Sequence, residues 1–159
     1  MQNFFYILLL FGTILSNDCV DYNVSNGTDY NCDCNEDTWE SYYSYMLGCW
    51  LPNASLQSVD LKWANLEGAY MVGADMRYAQ LVSTNLTNAN LVNANLVNAN
   101  LNWVNLEKAN LKGTDLRYAN LENANLRQVN LEGANLVNAM LMNSNLKNGN
   151  LKDASLFDA

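Results

Sequence analysis

The stretch "LTNANLVNANLVNANL", residues 86 to 101, repeats Ala-Asn-Leu three times and contains no charged residue, histidine, cysteine or proline. Reading outward from it, a Leu or Met occupies every fifth position from Leu56 to Leu156, 19 Leu with only Met71 and Met76 otherwise. Two residues before each of these 21 centres stands a compact side chain: Ala at 14, Val at 59, 104 and 129, Thr at 84 and 114, then Ser144 and Gly149. Directly before the centre is Asn at 13 positions and Asp at 60, 75 and 115. A period of five fits neither the 3.6-residue period of a helix nor the alternation of a flat strand. Held over about a hundred residues, it marks a repeat architecture. A disordered, Asn-rich tract has no reason to keep Leu in register.

The period predicts a solenoid in which each five-residue unit makes one short extended side and one corner. The centre and the compact residue two before it point the same way in an extended chain, so both fill the interior. The compact residue is demanded by a narrow interior already occupied by Leu from the other sides. Asn is expected at the corner, where its short amide bonds nearby backbone, and equivalent Asn residues in stacked coils can ladder with one another.

Units such as "ANLVN", "ADMRY" and "TDLRY" match the consensus of the pentapeptide-repeat family, which residues 54 to 159 resemble. The resemblance implies an all-β fold, a right-handed four-sided parallel β-helix with four repeats per coil. Twenty-one repeats then make about five coils, in a column roughly 25 Å tall at about 4.8 Å per coil. The sequence supports four sides independently. "LKWANLEGA" at 61 to 69 returns as "LNWVNLEKA" at 101 to 109, and "DMRYAQL" at 75 to 81 returns as "DLRYANL" at 115 to 121. Both shifts are forty residues, two coils of twenty, which keeps each motif on its own face.

At 159 residues the chain is one domain plus a leader. The expected organisation is a signal peptide at 1 to 16, a Cys-rich acidic cap at 17 to 52 and the β-helix at 53 to 159. The apolar run "FFYILLLFGTIL" at 4 to 15 is too short to span a membrane and is followed by polar, acidic sequence. It predicts secretion or other export, to an extracellular, periplasmic or lumenal compartment, with no stable membrane insertion. Cys19, Cys32, Cys34 and Cys49 all precede the repeats and predict two disulfides stapling a cap over the first coil, in any of three connectivities. A zinc site is disfavoured by the "CDC" spacing and the absence of histidine.

Charge separates the function classes. The resemblance brings in gyrase-binding quinolone-resistance proteins, thought to mimic acidic DNA, and the net charge of −8 invites that alternative here: an inhibitor or interaction protein that binds a target enzyme by shape and charge. Yet seven of the sixteen acids lie between Asp18 and Glu40, whereas the repeats carry nine acids against eight bases and present no negative rod. No basic face serves nucleic acid. No histidine and no base beside a serine supports catalysis. No cofactor or metal is expected: "DYNVSNGTDYN" has Asn26 and Cys32 where a calcium loop counted from Asp21 needs Gly and Glu.

Surface features remain. Asn23, Asn26, Asn53 and Asn85 begin Asn-x-Ser/Thr sequons and are candidate glycan sites. Trp63 and Trp103 are expected outward on one side and Tyr78 and Tyr118 on the next, each pair about 10 Å apart, where they can stack on sugar rings or contact another exported protein. The chain stops at "LKDASLFDA". An uncovered last coil, rimmed by Leu141, Leu146, Leu151 and Leu156, predicts end-to-end self-association as a dimer or fibre. The sequence thus predicts a secreted, non-enzymatic structural or binding module.

Overall fold

The computed structural model describes residues 46–159. There the chain winds into a four-sided parallel solenoid. Each side is three residues in extended form, and its middle residue pairs in parallel with the residue twenty positions on, from Trp50 with Tyr70 to Asn135 with Ser155. Twenty residues per turn of the column divide into four units of five. The sides are too short to form continuous strands, so each contributes a single bridge.

Two of the three extended residues point inward. The centres from Leu66 to Leu121 are less than 2% exposed, and the compact residues between them are equally buried. Thr84 and Thr114 occupy the compact slot fully buried. They are tolerated because each hydroxyl donates to a carbonyl, that of Leu61 or Leu91, at 2.8 Å, which satisfies a group that burial would otherwise penalise.

The backbone explains the remaining positions. Around Leu86, the centre amide donates to the Asn105 carbonyl (2.7 Å), the second corner amide, Asn88, to Glu107 (3.0 Å), and the Ala89 amide closes the turn onto Leu86 (3.1 Å). The Asn90 amide donates down to Ala69 (2.8 Å). One amide per unit is left, the first corner residue, and the side-chain oxygen of Asn or Asp two positions earlier accepts from it, as Asn85 does from Thr87 at 3.1 Å. The same bond recurs at Asn65, Asn95, Asn105 and Asn120 among others. Asn is therefore not in the corner, as the sequence suggested, but in the middle of the side with its amide reaching toward the corner. Ladders between coils form as expected, for example Asn110, Asn130 and Asn150 at 3.0 Å per step. Trp50 cannot accept such a bond, and the amide it would leave is absent, because Pro52 fills that position.

Pro52 also shows that the solenoid begins before residue 53. Met46 and Leu51 are buried centres, and the Leu51 amide donates to Tyr70 at 2.7 Å. Cys49, expected outside the repeats, fills a compact slot at 1% exposure. The register was hidden because Cys replaces Ala and Trp replaces Asn in that unit. Its Trp50 ring stacks on Tyr70, 4.0 Å between centroids. Cys19, Cys32, Cys34, Asn23, Asn26 and the leader lie outside the described residues.

Every second corner residue from Gly48 to Asp158 has positive φ, the requirement of the third position of a type II turn. Eight of the 18 non-glycine residues there are Asn, the side chain that tolerates this conformation best. Gly73 and Gly113 have a further reason: a Cβ would meet the Asn53 or Asn93 side chain of the preceding coil.

Candidate binding face

The four aromatic residues singled out in the sequence all occupy these left-handed corner positions: Trp63 (φ 65°), Tyr78 (61°), Trp103 (60°) and Tyr118 (60°). Bulky side chains in this region cost roughly 1–2 kcal/mol each. They gain little burial in return, being 73%, 55%, 62% and 54% exposed. The strain is carried by residues that do not serve the core.

The coil places all four around one side. That side is built by 59–61, 79–81, 99–101, 119–121 and 139–141, with Asp60, Gln80, Asn100, Asn120 and Met140 as its outward middle residues. Tyr78 and Tyr118 occupy the corner entering it, Trp63 and Trp103 the corner leaving it. Because Trp63 belongs to one coil, Tyr78 to the next, Trp103 to the third and Tyr118 to the fourth, the rings alternate between the two edges, one per coil. Members of each pair are two coils, about 10 Å, apart. The sequence placed the pairs on successive sides. They instead flank the same side, because the corner residue and not the extended one carries the ring.

Between the edges lies an amide surface. The Asn100 side-chain N–H donates to Gln80 at 3.3 Å, and the Gln80 side chain donates back to the Tyr78 carbonyl at 3.4 Å. The charges at its border are largely paired. Arg77 grips Asp75 with Nε at 2.8 Å and a terminal nitrogen at 2.7 Å, and Arg117 grips Asp115 in the same way at 2.9 and 2.7 Å. Lys62 pairs with Asp60 at 3.3 Å. Glu122 has no ion pair among the described residues.

The side-chain hydrogen bond from Arg77 holds the Asp75 carboxyl below its ordinary range despite partial desolvation, and Arg117 does the same for Asp115. Groups with a lowered folded-state pKa add stability that is present above the unfolded carboxylate range and is lost as pH falls through the folded value. Thermal melts from neutral pH to pH 3 are expected to show this acid-side loss, and the D75N/D115N variant is expected to show a shallower one.

The remaining sites fall apart spatially. Asn53 is an exposed corner residue, whereas the Asn85 side-chain nitrogen is already engaged by Asn65 (2.9 Å) and Glu67 (3.3 Å) and its oxygen by Thr87. Leu141, Leu146 and Leu151 are only partly buried against the core, and Leu156 is 40% exposed beside Phe157 at 71%. Among the described residues no three His, Cys, Asp or Glu side chains are grouped as metal ligands, and no helix is long and apolar enough to cross a membrane.

The model of pentapeptide repeats matches in eight copies over 54–93, 84–122, 94–133 and 119–156. No curated protein matches the chain in sequence. Among solved structures, the pentapeptide repeat protein Rfr23 of the cyanobacterium Cyanothece 51142 is 31% identical over 75% of this chain and 90% of its own, with a TM-score of 0.56. A pentapeptide repeat protein of the Arabidopsis thaliana thylakoid lumen is 31% identical over 63% of each chain, at a TM-score of 0.45. QnrB1, a plasmid-mediated fluoroquinolone resistance protein, is 16% identical over 74% of this chain and 68% of its own, at 0.35. Repeat pattern, twenty-residue coil, the family model's eight copies and the likeness to Rfr23 agree: the chain belongs to the pentapeptide repeat family, whose members fold as right-handed quadrilateral β-helices.

Proposed function

We propose that this protein is an exported, non-enzymatic binding module whose working surface is the amide face framed by Trp63, Tyr78, Trp103 and Tyr118. The observation that carries the reading is the placement of four large, exposed rings in strained backbone positions around one side, where Asn or Gly would suit the fold better. Replacing Trp63 and Trp103 by Asn tests it without reference to any ligand. Thermal unfolding of the W63N/W103N chain is expected at an unchanged or higher temperature, reflecting up to about 1 kcal/mol of added stability per site. A marked loss of stability would make the rings structural shields and defeat the reading.

Export is supported by the apolar run at 4 to 15. With export goes the proposed cap, residues 17–52, in which Cys49 would pair with one of Cys19, Cys32 and Cys34, on a column of about five coils. Sequencing of the mature N-terminus should begin near Asn17; an intact Met1 contradicts export. In a host that glycosylates exported asparagines, peptide mapping of folded protein is expected to find a glycan on Asn53 and none on Asn85, whose modification would break the Asn65–Asn85 ladder step.

Mimicry of DNA toward a target enzyme is opposed by the interleaved charges of the column, where most border carboxylates already hold a cation.

A further inference from the structure

We propose that the amide face binds a neutral, linear, β-1,4-linked polysaccharide lying along the column axis, an inference that rests on the binding-module reading above and adds the ligand to it. Three features select this chemistry. Exposed Trp and Tyr rings offer apolar faces to the C–H surface of pyranose rings, while their polar edges stay wet. Gln80, Asn100 and Asn120 supply both donors and acceptors down the middle, and the Asn120 side-chain nitrogen donates to no protein acceptor among the described residues, so it is available to a hydroxyl.

The second feature is charge. An anionic glycan or a nucleic acid needs unpaired cations, and among the described residues the face offers none: Arg77 and Arg117 are each held at two points by Asp75 and Asp115, and Lys62 is paired with Asp60. The one unpaired border charge, Glu122, repels polyanions. A ligand matching this surface is uncharged.

The third is the spacing. The rings alternate between the two edges with one ring per coil, a pattern that repeats every forty residues, or two coils of about 4.8 Å each. In an extended β-1,4-linked chain each sugar is turned over relative to its neighbour, so equivalent edges face left and right alternately and the pattern repeats every two sugars, each advancing by close to one coil. An α-linked helical glucan has no such alternation. A flexible or globular protein partner does not require it.

Calorimetric titration of the full-length, oxidised protein with cellohexaose, chitohexaose and mannohexaose tests the proposal, with maltohexaose and heparin hexasaccharide as controls. Binding of at least one β-1,4 hexaose, with neither control bound, is expected. Affinity should fall about tenfold or more in W103N and in Y78N, as for loss of a stacked ring with its contacts, and remain unchanged in V92A on a different corner. Rings that prove dispensable for stability in W63N/W103N, combined with no binding of any β-1,4 hexaose, overturn the polysaccharide assignment while leaving the module reading intact. Equal affinity for maltohexaose, tight binding of heparin, or binding unchanged in W103N and Y78N also overturns it.

Discussion

Leu101→Ala is expected to cost about 2 to 5 kcal/mol of stability, because the centre is fully buried in a narrow interior that cannot collapse around the cavity. Neighbouring coils hold its position from above and below: its amide donates to Asn120 at 2.7 Å, and Asn100 beside it donates to Ala79 at 2.9 Å. Val97→Thr, at an outward corner, is expected to cost under about 0.5 kcal/mol. Chemical denaturation of the two variants beside the parent checks the inward register at once. Comparable losses at both positions would mean that the assignment of inside and outside is wrong.

The second large effect concerns length. Removing Asn93 alone is expected to cost about 3 kcal/mol or more, since the corner loses its left-handed residue and the following Asn95 and Leu96 exchange inner and outer positions, burying an amide without partners. Removing residues 92–96 is expected to cost far less. Leu91 then runs directly into Val97-Asn98-Ala99-Asn100-Leu101, an intact unit, and each five-residue unit makes a quarter turn by itself. The shorter chain should keep the far-ultraviolet signature and cooperative melt of the parent. Downstream faces, however, move a quarter turn, so Trp103 leaves its edge and joins the row of Tyr78. Fold and binding therefore part company in this variant, and parallel melting and titration experiments measure both.

How much of this was legible in the sequence follows from which contacts are local. The five-residue register, the inward pair and the four sides could be read because every unit repeats the same local demands, and the forty-residue echo of Trp63 in Trp103 and of Tyr78 in Tyr118 fixes the coil at twenty. The role of Asn was misplaced because a corner and the side leading into it are adjacent in sequence; only the bond from Asn85 to the Thr87 amide shows which position needs the acceptor. Met46 and Leu51 were missed because Cys49 and Trp50 stand where Ala and Asn mark the pattern elsewhere. The common face of the four rings was hidden for a different reason. Each ring sits on a corner shared by two sides, so that Trp63 at the end of one side and Tyr78 at the start of the same side one coil later flank it together, and the consensus does not display which two of the five residues make the corner. The signal that could have found it is the preference of Asn and Gly for that position, against which Trp63, Tyr78, Trp103 and Tyr118 are exceptions.

A ligand surface on one side of this column is read most directly from the tryptophan indole N–H resonances of ¹⁵N-labelled protein titrated with a β-1,4 hexaose. Trp63 and Trp103 lie at the edge of the amide face, whereas Trp50 lies on another side, stacked on Tyr70. Saturable shifts of the Trp63 and Trp103 resonances, assigned through W63N and W103N, are expected, with Trp50 unmoved. Shifts at Trp50 equal to those at Trp63 and Trp103, or no shift at either of the two at saturating sugar, would contradict it.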